Sequence, residues 1–297
     1  MRHGLVVVDK PAGCTSHDVV SRLRRIYGQR RVGHAGTLDP DATGVLLVGL
    51  GRVTRLLRFL QVETKAYHGE VVFGVATVTL DAAGDVVDRV PMPITAADVE
   101  GALGRFRGEI DQLPPMVSAV KVGGRRLHEL ARAGEDVERP VRHVRVDRLE
   151  MEAFEPGPYP VAAIVVECSS GTYIRTLAAD LGTSLGGCAH VRGLRRLRVG
   201  SFTIDEAHPI EAVEGDPDVA VLAPGAAVRD LERIEVDAEQ ARAVTHGVMF
   251  PASLLSTSPS PGPFAVLGPD SDLLAVYERS GVALKPAVVL SAPGEAA

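Results

Sequence analysis

In the stretch RVGHAGTLDPDATGVL, Arg31 to Leu46, two aspartates flank a proline. As a D-x-D pair, Asp39 and Asp41 could ligate a metal. Pro40 stiffens the backbone between them, however, and no further cluster of ligand residues follows. A phosphate loop is excluded as well, because the glycines end in ATG with no lysine. The G-x-S-x-G match GTSLG, 182–186, follows a helical run rather than joining a strand to a helix, so it is no elbow for a serine nucleophile. What remains is one carboxylate presented by a rigid turn. Pro40 fixes its own φ and biases Asp39 towards an extended conformation. Gly33 and Gly36 permit sharp bends and close backbone approach. A side chain held this way can face a cleft. It can equally do no more than close its turn, as aspartates often do, and spacing alone leaves both readings open.

Two other stretches carry reactive groups. KAYHG places Tyr67 near the start of an apolar run, and SSGTYIRTLAADLG places Tyr173 and Arg175 in the first turn of a helix. The helix macrodipole mildly disfavours an arginine there; a carboxylate partner from elsewhere would be one reason to tolerate it. Aromatic residues make up 4% of the chain and tryptophan is absent, so each tyrosine draws notice. Cys14, Cys168 and Cys188 are far apart and form no C-x-x-C pair. Their number and spacing point to reduced cytosolic thiols and away from a metal site.

These residues need elements to hold them. GLVVVDKPAG reads as a short buried strand stopped by a turn. TSHDVVSRLRRIYG reads as a helix with Ser16 as N-cap, Val19, Val20, Leu23, Ile26 and Tyr27 on one face, and Gly28 as its end. TGVLLVGLG is a second apolar strand, and RVTRLLRFLQ a short helix with Val53, Leu56, Leu57 and Leu60 inward. KAYHGEVVFGVATVTL is extended and rich in β-branched residues. ITAADVEGALGRF is a helix boxed by Thr95 and Asp98, and GRRLHELARAG is another, closed by Gly134. VRHVRVDRLEMEAF, PVAAIVVEC and AHVRGLRRLRVGSF read as strands. GTYIRTLAADLG is a helix with Ile174, Leu177, Ala178 and Leu181 on one face. The order lacks a regular βαβ rhythm. It predicts an α+β fold with a mixed, largely antiparallel sheet flanked by helices.

The 297 residues suffice for two domains. Composition turns acidic and irregular over 205–230, and short strand-like pieces follow, PFAVLG and LLAVYER among them. The expected division is a domain over 1–225 and a small β-rich unit over 226–297. The net charge of -6 conceals a gradient. Residues 1–65 hold 11 Lys/Arg and 5 Asp/Glu, residues 120–202 hold 13 and 10, and residues 203–297 hold 5 and 15. The front of the molecule could show a basic face to a polyanion, or its arginines could simply be solvated. No run approaches a membrane span, and the N-terminal apolar run is too short for a signal peptide.

Taken in order, DKPAGCTSHDVV, VGHAGTLDPDATGVL, KAYHGEV, TLDAAG, QLPPMVSAVKVGGRRLHELARAG and SSGTYIRTLAADLG resemble the motif series of the bacterial TruB-type tRNA pseudouridine synthases. The resemblance runs from about Leu5 to Phe202 and implies the pseudouridine synthase fold with a C-terminal PUA-like domain. It implies an isomerase that converts uridine to pseudouridine at position 55 of the tRNA T-loop with no cofactor and no metal. The enzyme would be a cytoplasmic monomer with no membrane partner. Asp39 matches the essential aspartate, as nucleophile or base, and Arg175 its salt-bridge partner. Tyr67 matches the tyrosine that stacks on the flipped base and could assist proton transfer. His34 matches the residue that fills the vacated place in the RNA. Leu194 matches an apolar residue lining the uracil pocket, Tyr173, two residues before Arg175, would join it in binding substrate RNA, and Lys10 with Pro11 matches the motif that supports the active-site loop at the RNA-binding side. The run Arg192 to Arg198 would meet phosphates, and 121–152 resembles an insertion that grips RNA. The sequence departs from the family at His128, usually tyrosine, and at Val117, often aromatic. Two other classes compete: a non-catalytic RNA-binding or tRNA-folding module of the same fold, and a nucleotide hydrolase. The intact set Asp39, Tyr67 and Arg175 argues against the first. The missing phosphate loop argues against the second.

Overall fold

The computed structural model describes residues 1–118, 121–122, 124–126, 137–255 and 260–290. The chain begins with β1 (Gly4–Lys10), α1 (Ser16–Ile26), β2 (Val32–Ala35) and β3 (Thr43–Leu50). After α2 (Leu57–Gln61) come β4 (Lys65–Phe73) and a hairpin of β5 (Val75–Thr77) and β6 (Val86–Arg89). Next are α3 (Ala96–Leu103) and β7 (Gly108–Gln112), then the long strands β8 (Arg142–Glu155) and β9 (Val161–Cys168). The segment ends with α4 (Ile174–Ser184) and β10 (Ala189–Val199).

These strands form the backbone of one 11-stranded mixed sheet, in the order β1-β3-β10-β4-β9-β8-β7. Every step of that path is antiparallel except β3–β10, as the lack of βαβ rhythm predicts. The parallel step consists of two register pairs, Arg195 with Thr43 and Arg196 with Gly44. It joins the two halves of the sheet, and the reactive residues gather beside it.

The uninterrupted apolar runs of β1 and β3 have a physical cause. Both faces of these strands are covered. Leu5, Val7, Val45 and Leu47 point to one core, while Val6, Val8, Leu46 and Val48 point to another that includes Val19, Val20 and Leu23 of α1. The first core also contains Ala265, Leu267, Leu273, Val276 and Val288. Those residues belong to a second, five-stranded sheet built from β11 (Glu232–Glu235), β12 (Phe264–Leu267), β13 (Leu273–Ser280), β14 (Ala283–Val289) and the short strand Phe250–Pro251. With α5 (Ala238–Thr245) this is the small β-rich C-terminal unit that the sequence predicts. A third core lies between the β4/β9/β8 face, α3 and α4.

Local details correct the sequence reading. The N-cap of α1 is Thr15, not Ser16. The Thr15 hydroxyl accepts from the Asp18 amide, and Asp18 returns a bond to the Thr15 amide at 2.8 Å. The stronger box at Thr15 wins because aspartate stands three residues on. Ser16 instead accepts from the Leu38 amide at 2.9 Å and so ties α1 to the loop before Asp39. Residues 142–152, the end of the segment likened to an RNA grip, lie in β8 between β9 and β7. Of the helix expected over 124–134, Arg125–Arg126 pair with Lys121–Val122 in a short hairpin, and 127–134 lie outside the described residues, with His128.

Candidate active site

Asp39 sits on the loop between β2 and β3, and this loop is fastened from several sides. Lys10, fully buried, donates to the carbonyls of Pro11, Cys14 and Pro40 at 2.7–2.9 Å. Its three N–H groups are thereby spent on the backbone. The Gly13 amide donates to the Pro40 carbonyl as well, at 3.0 Å, and the Ala42 amide closes the turn on the Asp39 carbonyl at 3.1 Å. Asp41 is exposed on the same turn. Of the two carboxylates, Asp39 is the half-buried one.

Arg175 holds that carboxylate with both edges of its fork. Its Nε lies 3.0 Å from Asp39 Oδ2, and Nη2 donates to Oδ1 at 3.2 Å. The remaining N–H groups meet the carbonyls of Thr79 and Val117, each at 2.9 Å, and Asp81 Oδ2 at 3.5 Å. Arg175 is thus buried and fully satisfied. At 117 the backbone carbonyl meets the arginine, so the family's preference for an aromatic side chain does not bear on the pair. The macrodipole penalty at the start of α4 is offset by two carboxylates. That N-terminus lacks a side-chain cap. The Gln112 amide group takes its place, accepting from Tyr173 N at 2.9 Å and donating to Tyr173 O at 3.2 Å.

The Asp39 side chain keeps 40% of its surface open, against 6% for Arg175. Burial pushes the Asp39 carboxyl above its ordinary value; Arg175 pulls it back, and Asp81 raises it further. The expected lowering by Arg175 is real, but desolvation outweighs it.

Two cavities meet at Asp39, Ala42, Arg175 and Leu194. The larger, 270 Å³, is lined by Tyr67, Tyr173, Lys65, Arg196 and Ser118 among others. The smaller, 90 Å³, is lined by Asp81, Ala82, Ala83, Val191 and Gly193 among others. Leu194 reaches both because β10 bulges at Gly193–Leu194, where the register with β4 shifts. Gly69 opposite leaves the room: a Cβ there would lie 3.3 Å from Leu194 Cδ1. Five of the seven expected residues therefore converge: Asp39, Arg175, Tyr67, Tyr173 and Leu194. Lys10 and His34 line neither cavity. His34 is half-buried on β2, and burial and Arg196 push its pKa below the ordinary value.

The sequence reading assigned no role to Asp81, Lys65 or Gln112, and took Arg196 only as part of the basic run Arg192 to Arg198. Asp81 was visible within TLDAAG, and its neighbour Leu80 takes a left-handed φ of 61°. A branched side chain in that region costs about 1–2 kcal/mol. The strained residue separates two Arg175 contacts, Thr79 O and Asp81. The basic run of β10 also differs from expectation. Arg192, Arg195 and Arg198 pair with Glu70, Asp9 and Glu167, and Arg196 is buried. The charges of Arg192, Arg195 and Arg198 are thus matched within the sheet, and phosphates would have to compete with those pairs. Among the described residues no group of three or more His, Cys, Asp or Glu could hold a metal ion, and no helix is long and apolar enough to cross a membrane.

Comparison with known proteins bears directly on this constellation. Residues 24–174 match the model of the TruB family pseudouridylate synthase N-terminal domain. Residues 175–216 match the tRNA pseudouridylate synthase B C-terminal domain, and 231–291 the tRNA pseudouridine synthase II C-terminal domain. A tRNA pseudouridine synthase B of Mycobacterium sp. (strain KMS) is 45% identical over 290 residues, 97% of this chain and 96% of that protein. That of Thermobifida fusca (strain YX) is 44% identical over 297 residues, 98% of this chain and 99% of that protein. Among solved structures, a chain of a Cbf5-Nop10-Gar1 complex superposes with a TM-score of 0.74 at 25% identity, covering 97% of this chain and 85% of that one.

Proposed function

The chain belongs to the TruB family of tRNA pseudouridine synthases, and on that premise we propose that it isomerises uridine at position 55 of the tRNA T-loop with Asp39 as nucleophile or base. The observation that carries this reading is the two-point Arg175–Asp39 pair at the junction of two cavities. A carboxylate fixed at both oxygens by a planar guanidinium has a defined direction of attack. Its remaining exposure leaves an edge open to substrate. The reaction breaks the N1–C1′ bond, turns the uracil and joins C5 to C1′. No electron is gained or lost, so no cofactor is called for. A uridine in a folded loop reaches a recessed carboxylate only by leaving its stack. Leu194 and Tyr67 then bracket the base, and His34 takes its place in the RNA. The enzyme acts as a cytoplasmic monomer on tRNA.

Asp39→Asn tests the assignment, since it keeps the shape and removes the nucleophile. Purified chain incubated with tRNA and mapped for pseudouridine should modify one T-loop uridine. The variant should bind tRNA within about threefold of the unaltered chain and form none, because a group that reacts is lost and uniform binding is kept. Turnover by the variant, or modification elsewhere, refutes the assignment. A folding module would act equally well with asparagine.

A further inference from the structure

Arg196 is almost completely buried yet has no carboxylate within salt-bridge distance among the described residues. Taking a guanidinium out of water is costly unless its donors are matched. Nε donates to Val45 O at 2.7 Å, Nη1 to Thr37 O at 3.4 Å and Nη2 to Gly36 O at 3.3 Å. Two of these carbonyls belong to the loop that ends in Asp39. Two N–H groups remain. Arg196 is the cross-strand partner of Tyr67 between β10 and β4. Directly opposed residues of an antiparallel pair share a face. The guanidinium lies near enough to the phenol to act on its charge, and both groups line the 270 Å³ cavity beside Asp39. Gly36, at φ 86°, lets the loop turn here in a backbone conformation that side chains disfavour.

We propose that Arg196 is the positioning residue for Tyr67: fixed on the carbonyls of Gly36, Thr37 and Val45, it donates to the phenol oxygen and aims Tyr67 as the proton relay of the isomerisation. The inference rests on the uridine-isomerase reading above. Closure of the C5–C1′ bond leaves one hydrogen on C5 and none on N1. Tautomerisation removes the first and supplies the second, so no proton is gained or lost overall. In a relay, the phenol oxygen takes the C5 proton while its own proton passes to N1 through water. The tyrosine ends as it began. The N–H from Arg196 occupies one lone pair, leaves the other towards the cavity and stabilises negative charge that builds on the oxygen. Burial pushes the Tyr67 phenol up, and Arg196 opposes that rise. The other ionisable groups around it are Cys168 on β9, Lys65 on its own strand, Asp39 on the loop, Arg175 behind Asp39 and Tyr173 at the start of α4.

A double-mutant cycle on the full chain, read as single-turnover pseudouridine formation at saturating tRNA, tests the coupling. Tyr67→Phe should slow the reaction about 100-fold, the usual scale of a lost acid–base group. Arg196→Lys alone should slow it about tenfold, with tRNA affinity kept, since one hydrogen bond that strengthens with charge is lost. Added to Tyr67→Phe, it should cost about twofold or less, because both act on one group. The full tenfold loss in both backgrounds overturns the proposal. Should Arg196→Lys fail to fold, 3-fluorotyrosine at position 67 leaves Arg196 intact and makes the phenol more acidic. The pH–rate profile must then move to lower pH, and an unmoved profile overturns the relay. If the unaltered chain forms no pseudouridine, the isomerase reading itself fails. The contact is still decided by ultraviolet titration of the phenol, taken as the difference from Tyr67→Phe. Arg196→Met should raise the pH at which Tyr67 ionises, and an unmoved titration refutes the contact.

Discussion

Asp39 lies under opposing influences, and their balance sets a measurable limit. Burial and Asp81 favour the protonated carboxyl, while Arg175 favours the charged one, and the net displacement is upward from 3.8. A nucleophile or base must be ionised. Activity therefore rises with pH through a value higher than that of an ordinary aspartate. In the free enzyme this appears in kcat/KM. We expect its acidic limb to lie above pH 3.8, and a limb at or below that value contradicts the burial of the site. Arg175 offers a second test. Lysine keeps the charge but cannot meet Asp39 at two points while reaching Thr79 O, Val117 O and Asp81. Arg175→Lys should lower single-turnover rate by about 100-fold, about 2.7 kcal/mol at 1.36 kcal/mol per tenfold. A near-normal rate would show that alignment of the carboxylate is not limiting. Asp39 and Arg175 were named from sequence, and the spacing from 39 to 175 could not show that they touch.

At the scale of elements, the site depends on how a loop is anchored between strands of different parts of the sheet. α1 contributes its capped N-terminus: Thr15 and Asp18 fix the first turn, and Ser16, one residue on, holds Leu38. Thr15→Ala removes a helix cap and should lower stability by about 1 kcal/mol. Chemical denaturation reads that loss directly; a midpoint equal to that of the unaltered chain would mean that Asp18 alone sustains the turn. Most strands were legible because β-branched runs and turn residues bounded them. The parallel step β3–β10 was not, since the two strands are separated by more than 130 residues. Its closeness explains Gly44, where an added Cβ would lie 2.1 Å from Arg196 O. The bulge that turns Leu194 into both cavities was equally hidden, because a register shift belongs to a pair of strands.

For the whole molecule, the sharing of one core between the large sheet and the C-terminal sheet matters most. Leu5, Val7, Val45 and Leu47 are covered on that face by side chains from beyond residue 260. A fragment ending at residue 230 would expose this apolar face. Each fully buried Leu or Val contributes about 1.5–3 kcal/mol. The fragment should melt well below the full chain or aggregate. A fragment with the same melting temperature would show that the shared core adds nothing to stability. The acidic composition of 203–297 is compatible with such a brace, because the residues that meet β1 and β3 are apolar and the charges lie elsewhere.

The sequence by itself determined most of the elements and the mixed character of the sheet, and it named Asp39, Tyr67 and Arg175 as candidates. Local periodicity encodes the first two, and ordered motifs the third. Only the tertiary structure decided which partners those residues have. Arg175 joins Asp39 to Asp81, Arg196 joins the Asp39 loop to Tyr67, and Lys10 spends its charge on carbonyls rather than facing the cavities. Such pairings depend on long-range strand order and on which donors burial leaves to be satisfied. Neither is written in the spacing of residues along the chain.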